Sequence, residues 1–272
     1  MELDFTGNKS IHTLNKLNDF LQLLLKESNC THIGWDVGGM HGSNNALCFL
    51  KPEPAYGWVE STLSIPKQKS SELLAERIVQ VILEHKSETI LLAIDAPLCF
   101  PKAFIKQLTQ LEEIESIPYE TQISNPLAYR HCEFYLQRIT GKRPLSPSFD
   151  QLTSLVLLVL RVFQLLKDRS ELNLFRIPYD GNSIKQGINA FECYPALLKP
   201  LKKPLKSGHK KKASFDAFVT ESGLQLSSSH KMDAQYCALF AVYEHLIHSE
   251  PFSVHHNYNG NLQEEGWIYG PY

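Results

Sequence analysis

The chain has 272 residues, 43% hydrophobic and 21% charged, proportions ordinary for a globular protein and sufficient for one large domain or two small ones. Its net charge of -2 excludes the global positive field of a general nucleic-acid binder. The six cysteines (Cys30, Cys48, Cys99, Cys132, Cys193 and Cys237) include no Cys-x-x-Cys pair, so they read as reduced, mostly buried thiols of a cytosolic protein, not as a disulfide frame or a zinc site.

In chain order, the N-terminus MELDFTGNKS is polar and acidic and shows no signal peptide. Leu14, Leu17, Phe20, Leu21, Leu24 and Leu25 recur at helical spacing, which predicts an amphipathic helix over Ile11 to Glu27. The short apolar run His32 to Val37 then predicts a strand. Alternation sends Ile33, Trp35 and Val37 to one face and Gly34, Asp36 and Gly38 to the other. The stretch GWDVGG thus sets a carboxylate between residues without side chains, where a metal ion, a phosphate or a backbone could approach closely. It could equally be a strand end entering a hairpin, since glycine allows positive φ.

Ala46 to Leu50 and Tyr56 to Leu63 predict two further strands, joined to the first by short turns as an antiparallel meander. Ser70 or Ser71 can cap a helix running to about His85, with Leu73, Leu74, Ile78, Val81 and Ile82 as its apolar stripe. Thr89 to Ile94 is a continuous apolar run, as expected of a strand buried on both faces. Pro97 stops it and leaves Asp95 at its carboxyl end, the edge where open α/β sheets bear their sites.

Residues from about 101 to 187 predict a helical insertion packed on the same core, because no flexible linker sets them apart. Within it, Leu152 to Leu166 is strongly apolar, but Arg161 and Gln164 interrupt it and it is too short to span a bilayer. Ile188 to Tyr194 predicts the next strand, bearing Glu192, and Pro195 opens a short helix. Lys199 to Lys212 holds seven of the 27 basic residues and no acid. Such a run could grip a nucleic-acid backbone, with Lys210, Lys211 and Lys212 as candidate contacts, or be a solvated loop. Ala213 to Ser222 and Met232 to His248 predict helices, the second with Asp233 in its first turn, and Trp267 to Tyr269 predicts a small terminal strand. The order β-β-β-α-β, insertion, β, α is that of a ribonuclease H-like α/β domain: three antiparallel strands, a crossover helix, then parallel strands.

Four acids, Asp36, Asp95, Glu192 and Asp233, fall at element ends. Clustered carboxylates are what two-metal phosphoryl chemistry requires, and neighbouring strands could gather such acids from distant positions. Each also has a structural explanation: Asp95 as a loop cap, Glu192 as the partner of a nearby lysine, Asp233 as a favourable charge at a helix start. Arg130, in YRHCEFYL, is a candidate phosphate or substrate contact, or else the partner of Glu133 in a helical i, i+3 pair. Cys193 lacks a histidine partner and reads as a buried thiol. His255, His256 and Asp216 give no metal spacing.

The set GWDVGG, AIDAPLCFP, YRHCE, FECYPA, KMDAQYCALFA and EEGWIYGP resembles domain-of-unknown-function family 429, whose members are described as predicted nucleases of ribonuclease H fold. The resemblance runs from about Ile33 to Pro271 and is most specific in AIDAPL and EEGWIYGP. It implies one ribonuclease H-like domain over 1–272, with Asp36, Asp95 and Asp233 binding Mg²⁺ or Mn²⁺ and Glu192 lining the same cleft. The chain departs from the family's pattern in its last acidic segment, where a second aspartate is usual. Here Ala234 follows Asp233, and His230 stands nearby.

Three functions follow as expectations. The first is a Mg²⁺- or Mn²⁺-dependent nuclease or phosphodiesterase. The second is a nucleotide-binding phosphotransferase of the actin and sugar-kinase type, which shares the Asp-x-Gly-Gly loop but normally carries two such loops. The third is a binding module without catalysis. Each is expected to act away from membranes.

Overall fold

The computed structural model describes residues 29–39, 44–53, 57–85, 87–110, 125–141, 144–148, 152–178, 180–181, 183–200, 209–227, 230–247, 252 and 262–272. The helix expected over Ile11 to Glu27, and His255 and His256, lie outside them.

Three strands open the described chain: β1 (Cys30–Asp36), β2 (Asn45–Glu53) and β3 (Gly57–Ile65), paired antiparallel in that order. Helix α1 (Ser71–Glu84) follows, and the Ser70 hydroxyl accepts from the Leu73 N–H at 3.2 Å as its N-cap. The crossover returns the chain as β4 (Thr89–Asp95), which lies parallel to β1 with Cys30 opposite Thr89 and Asp36 opposite Asp95. Helices α2 (Lys102–Thr109), α3 (His131–Thr140) and α4 (Leu152–Arg169) come next. Strand β5 (Leu174–Ile177) and strand β6 (Gly187–Cys193) run parallel to each other, and β6 lies parallel to β4. The chain closes with α5 (Pro195–Leu198), α6 (His209–Glu221), α7 (His230–Val242), α8 (Leu262–Glu265) and β7 (Ile268–Tyr269). Helix α7 continues as a π-helical turn over Tyr243–Ile247.

The sheet is mixed and has seven strands in the order β3-β2-β1-β4-β6-β5, with β7 also on β6. Helices cover both faces. Ile33, Trp35, Ile90, Leu92 and Ile94 pack with α1 and α4, while Cys30, Leu91, Ala93 and Phe191 pack with α3, α5, α6 and α7. Strand β4 is therefore apolar on both sides, and Ile90 to Ile94 are fully buried. At about 1.5–3 kcal/mol for each large aliphatic side chain removed from water, this five-residue run is the strongest local reason for the sheet to form there.

The stretch expected to be a helical insertion is only partly so. It also supplies β5 to the sheet, and α4 forms much of one covering layer. Strand β5 escapes a periodicity reading because it has four residues, of which only Ile177 is fully buried. Among the described residues no helix is long and apolar enough to cross a membrane.

Candidate metal centre

Strand β1 ends at Asp36, and the residues around it divide as alternation predicts. Ile33, Trp35 and Val37 enter the core beneath α1 and α4. On the other face the space over Gly34 is filled by α7. A Cβ at Gly34 would lie 2.0 Å from the Ala234 carbonyl oxygen and 2.4 Å from the Ala238 nitrogen. Of the three approaches the glycines allow, that of a backbone is the one realised at Gly34. Gly38 likewise gives way to the backbone of Asn44 and Asn45, with Cβ contacts of 2.6 and 2.7 Å.

Asn45, buried at the start of β2, fixes the turn after Asp36. Its Oδ1 accepts from Trp35 Nε1 at 3.2 Å and from the Gly38 N–H at 3.1 Å, and its Nδ2 donates to the Gly39 carbonyl at 3.4 Å. This side chain holds the loop that carries Asp36, and its role depends on a turn geometry that composition does not specify.

Because β1 and β4 pair in register, Asp36 and Asp95 end their strands side by side. Helix α7 enters over the same edge and brings Asp233 in its first turn. One carboxylate oxygen from each of Asp36, Asp95 and Asp233 lies within 4.8 Å of the others. A histidine and a lysine attend them. His230 Nδ1 is 2.8 Å from Asp36 Oδ2, and the Lys199 ammonium pairs with Asp233 Oδ1. His230 thus takes a place beside Asp36 while Ala234, where the second aspartate was expected, is buried beneath β1.

Burial pushes the Asp36 carboxyl up to about 6, against the pull of the hydrogen bond and charge of His230. Asp95 is raised well above the usual carboxylate range, first by burial and then by the charges of Asp36, Asp233 and Glu192, while Lys199 draws it down. The protein alone therefore leaves this cluster short of positive charge.

The donor set fits a hard divalent cation. Mg²⁺ binds oxygen at ≈ 2.0–2.1 Å in an octahedron, so oxygens on one ion lie roughly 3–4 Å apart. Side-chain shifts of under about an ångström would bring oxygens within 4.8 Å of one another to that spacing. Asp36, Asp95 and Asp233 could hold such an ion. Glu192 lines the adjoining cavity but lies outside the triad.

Both oxygens of Glu192, the fourth acid named as a candidate, are already engaged. Arg130 donates through Nη1 to Oε2 at 2.8 Å and through Nη2 to Oε1 at 2.7 Å, and the Leu98 N–H reaches Oε2 at 3.1 Å. Arg130 also donates through Nε to Glu133 Oε1 at 2.8 Å. Its guanidinium is fully buried between the two glutamates. A buried charge left unpaired would cost several kcal/mol, so this triad is a structural knot and Arg130 is not presented to a substrate. The i, i+3 pair with Glu133 is present, and Glu192 extends it.

Two of the three candidate lysines are likewise engaged. Lys210 to Lys212 lie in α6, which begins at His209, rather than in a loop. Lys211 pairs with Glu244 at 2.9 Å. The buried Lys212 ammonium donates to the Leu198 carbonyl at 3.1 Å and pairs with Asp216, so only Lys210 of the three remains exposed. Residues 201–208 of the lysine run lie outside the described residues.

A cavity of about 170 Å³ opens beside Asp95, with Val37, Leu136, Leu152 and Leu155 among its walls. The EEGWIYGP segment is structural: Glu265 accepts from the Lys102 N–H at 3.0 Å and the His131 N–H at 3.1 Å, and so caps α2 and α3 together. Lys199 and His230 are the site residues that sequence reasoning did not assign. Each lay in view, one heading the lysine run and one opening α7, but their partners are distant in sequence.

No family model, no curated protein and no solved structure matches the chain.

Proposed function

We infer that the chain is a ribonuclease H-like, divalent-metal-dependent phosphodiesterase, with nucleic acid as the substrate class that the resemblance to family 429 implies. The strand order, three antiparallel strands followed by parallel ones, supports the fold. The observation that carries the activity is the convergence of Asp36, Asp95 and Asp233 from β1, β4 and α7. A Mg²⁺ or Mn²⁺ ion held by these acids would supply positive charge against the oxygens of a phosphodiester. His230, half-exposed and bonded to Asp36, stands at the mouth of the site. Lys199 balances Asp233 and offers a second positive group to an incoming phosphate. The apolar cavity beside Asp95 gives room for an uncharged part of the substrate and limits water on that side.

A second reading rests on one observation. Lys199 already pairs with Asp233, so an ammonium could supply part of the counter-charge and leave a binding module without catalysis. Cleavage separates the two. Bis(p-nitrophenyl) phosphate and labelled DNA and RNA strands are incubated with Mn²⁺ and the wild-type chain or Asp36→Asn. Turnover by wild type that falls by more than about 100-fold in the variant is the expected result. Equal rates in both proteins would contradict the role of Asp36, and no turnover of any substrate would favour the binding module.

A further inference from the structure

Strand β1 bears a second set of donors at its opposite end, on the same face as Asp36. Cys30 and His32 point toward α7 there, and the π-helical turn after α7 brings His245 to meet them. Cys30 Sγ lies 3.9 Å from His32 Nε2, which lies 2.9 Å from His245 Nδ1. All three donor atoms fall within 4.8 Å of one another. Cys30 and His32 are buried, and His245 is half-buried.

We propose that Cys30, His32 and His245 form a zinc site, with one thiolate and two imidazole nitrogens as ligands and a fourth position open to water. The proposal is independent of the carboxylate site. Sulfur and imidazole suit a borderline-soft cation, whereas the three carboxylates suit a hard one. The distances also fit. Zn–S of ≈ 2.3 Å and Zn–N of ≈ 2.0–2.1 Å in a tetrahedron put sulfur about 3.6 Å from nitrogen and the two nitrogens about 3.4 Å apart. The present separations, 3.9 and 2.9 Å, differ from these by half an ångström or less.

The proton balance is simple. Without metal, one imidazole donates to the other across the 2.9 Å contact. On binding, that proton moves to the other nitrogen of its own ring, and Cys30 loses its thiol proton to solvent. Sequence spacing gives no sign of this site, because its third donor comes from 213 residues beyond His32. The absence of a Cys-x-x-Cys pair excludes only the commonest zinc pattern.

The test is titration of the chelator-treated full chain with Co²⁺, reading the near-ultraviolet charge-transfer absorption of a cobalt–thiolate bond, followed by displacement with Zn²⁺. The expected result is a band that saturates at a single ion per chain and bleaches with Zn²⁺. It should vanish in Cys30→Ser, weaken at least about tenfold in His245→Gln, and persist in Asp36→Asn. Circular dichroism confirms that each variant is folded, and if Cys30→Ser is not, His245→Gln decides. No band in wild type, or a band unchanged in the folded variants of this site, would overturn the proposal. Failure of Mn²⁺ to bind the carboxylates would leave it untouched.

Discussion

The two ends of β1 differ in chemistry although one helix covers both. At the carboxyl end, Asp36 meets Asp95, Asp233 and His230, an oxygen-rich cluster in which Asp36 is buried and His230 half-exposed. At the amino end, Cys30 and His32 meet His245, a sulfur- and nitrogen-bearing cluster with two buried members and a half-buried third. At about 3.3 Å per residue, Cys30 and Asp36 stand roughly 20 Å apart. Helix α7 runs antiparallel to β1 between them, with His230 at one end, His245 at the other and Ala234 and Ala238 over Gly34. One close strand-helix contact therefore sets the geometry of both clusters.

Gly34→Ala should have the largest effect, because it attacks the shared element. The added Cβ would meet two backbone atoms of α7, which can yield only by moving the helix. Overpacking of this kind costs about 3 kcal/mol at the upper end of its usual range, and more where backbone must shift. Urea unfolding checks it, and Co²⁺ and Mn²⁺ titrations should weaken together. A stability loss below about 1 kcal/mol would mean that the contact is slack and the ends are independent.

A smaller effect separates the ends by pH. In metal-free protein Asp36 holds its proton up to about 6, while in the unfolded chain it loses it near 3.8. The folded state binds more protons in that window, so this end loses stability as pH rises from about 4 to about 6. Asp95 acts in the same direction. His245 does the opposite: burial lowers it from 6.5 to about 4, so its contribution is present above 6.5 and lost as pH falls through about 4. His32, lowered by burial and by His245, adds to that slope.

The Asp36 and His245 shifts, about two units each, correspond to about 3 kcal/mol apiece over their full windows. Urea unfolding of chelator-treated protein across these pH values should therefore show partly cancelling slopes in wild type. Asp36→Asn should leave stability rising more steeply with pH, and His245→Gln should tilt it the other way. Variants that keep the wild-type slope would break the contrast.

The sheet was largely legible because its strands carry unbroken apolar or alternating patterns. Thr89 to Ile94 is apolar throughout, and Pro97 marks where it stops. That reading also left Asp36 and Asp95 at strand ends, and the crossover from β3 through α1 lays β4 beside β1 to bring them together. What sequence could not supply were pairings between distant polar groups. Arg130 and Glu192 were both named, yet a salt bridge across 62 residues leaves no local pattern, and their mutual capture was hidden. Lys212 looked like loop charge because its partners, Asp216 and the Leu198 carbonyl, appear only once α6 is wound to His209. Gly34 looked like clearance for a ligand because a sequence does not say which helix will lie against it.

The central claim is that Asp36, Asp95 and Asp233 hold a divalent cation, and Mn²⁺ binding tests it most directly. The electron paramagnetic resonance signal of free Mn²⁺ is followed as the chain is added, for wild type and for Asp95→Asn. Loss of the free-ion signal in wild type, with affinity at least about tenfold weaker in the variant, is the predicted result. A signal equally unaffected by both proteins, or equally quenched by both, would contradict the claim.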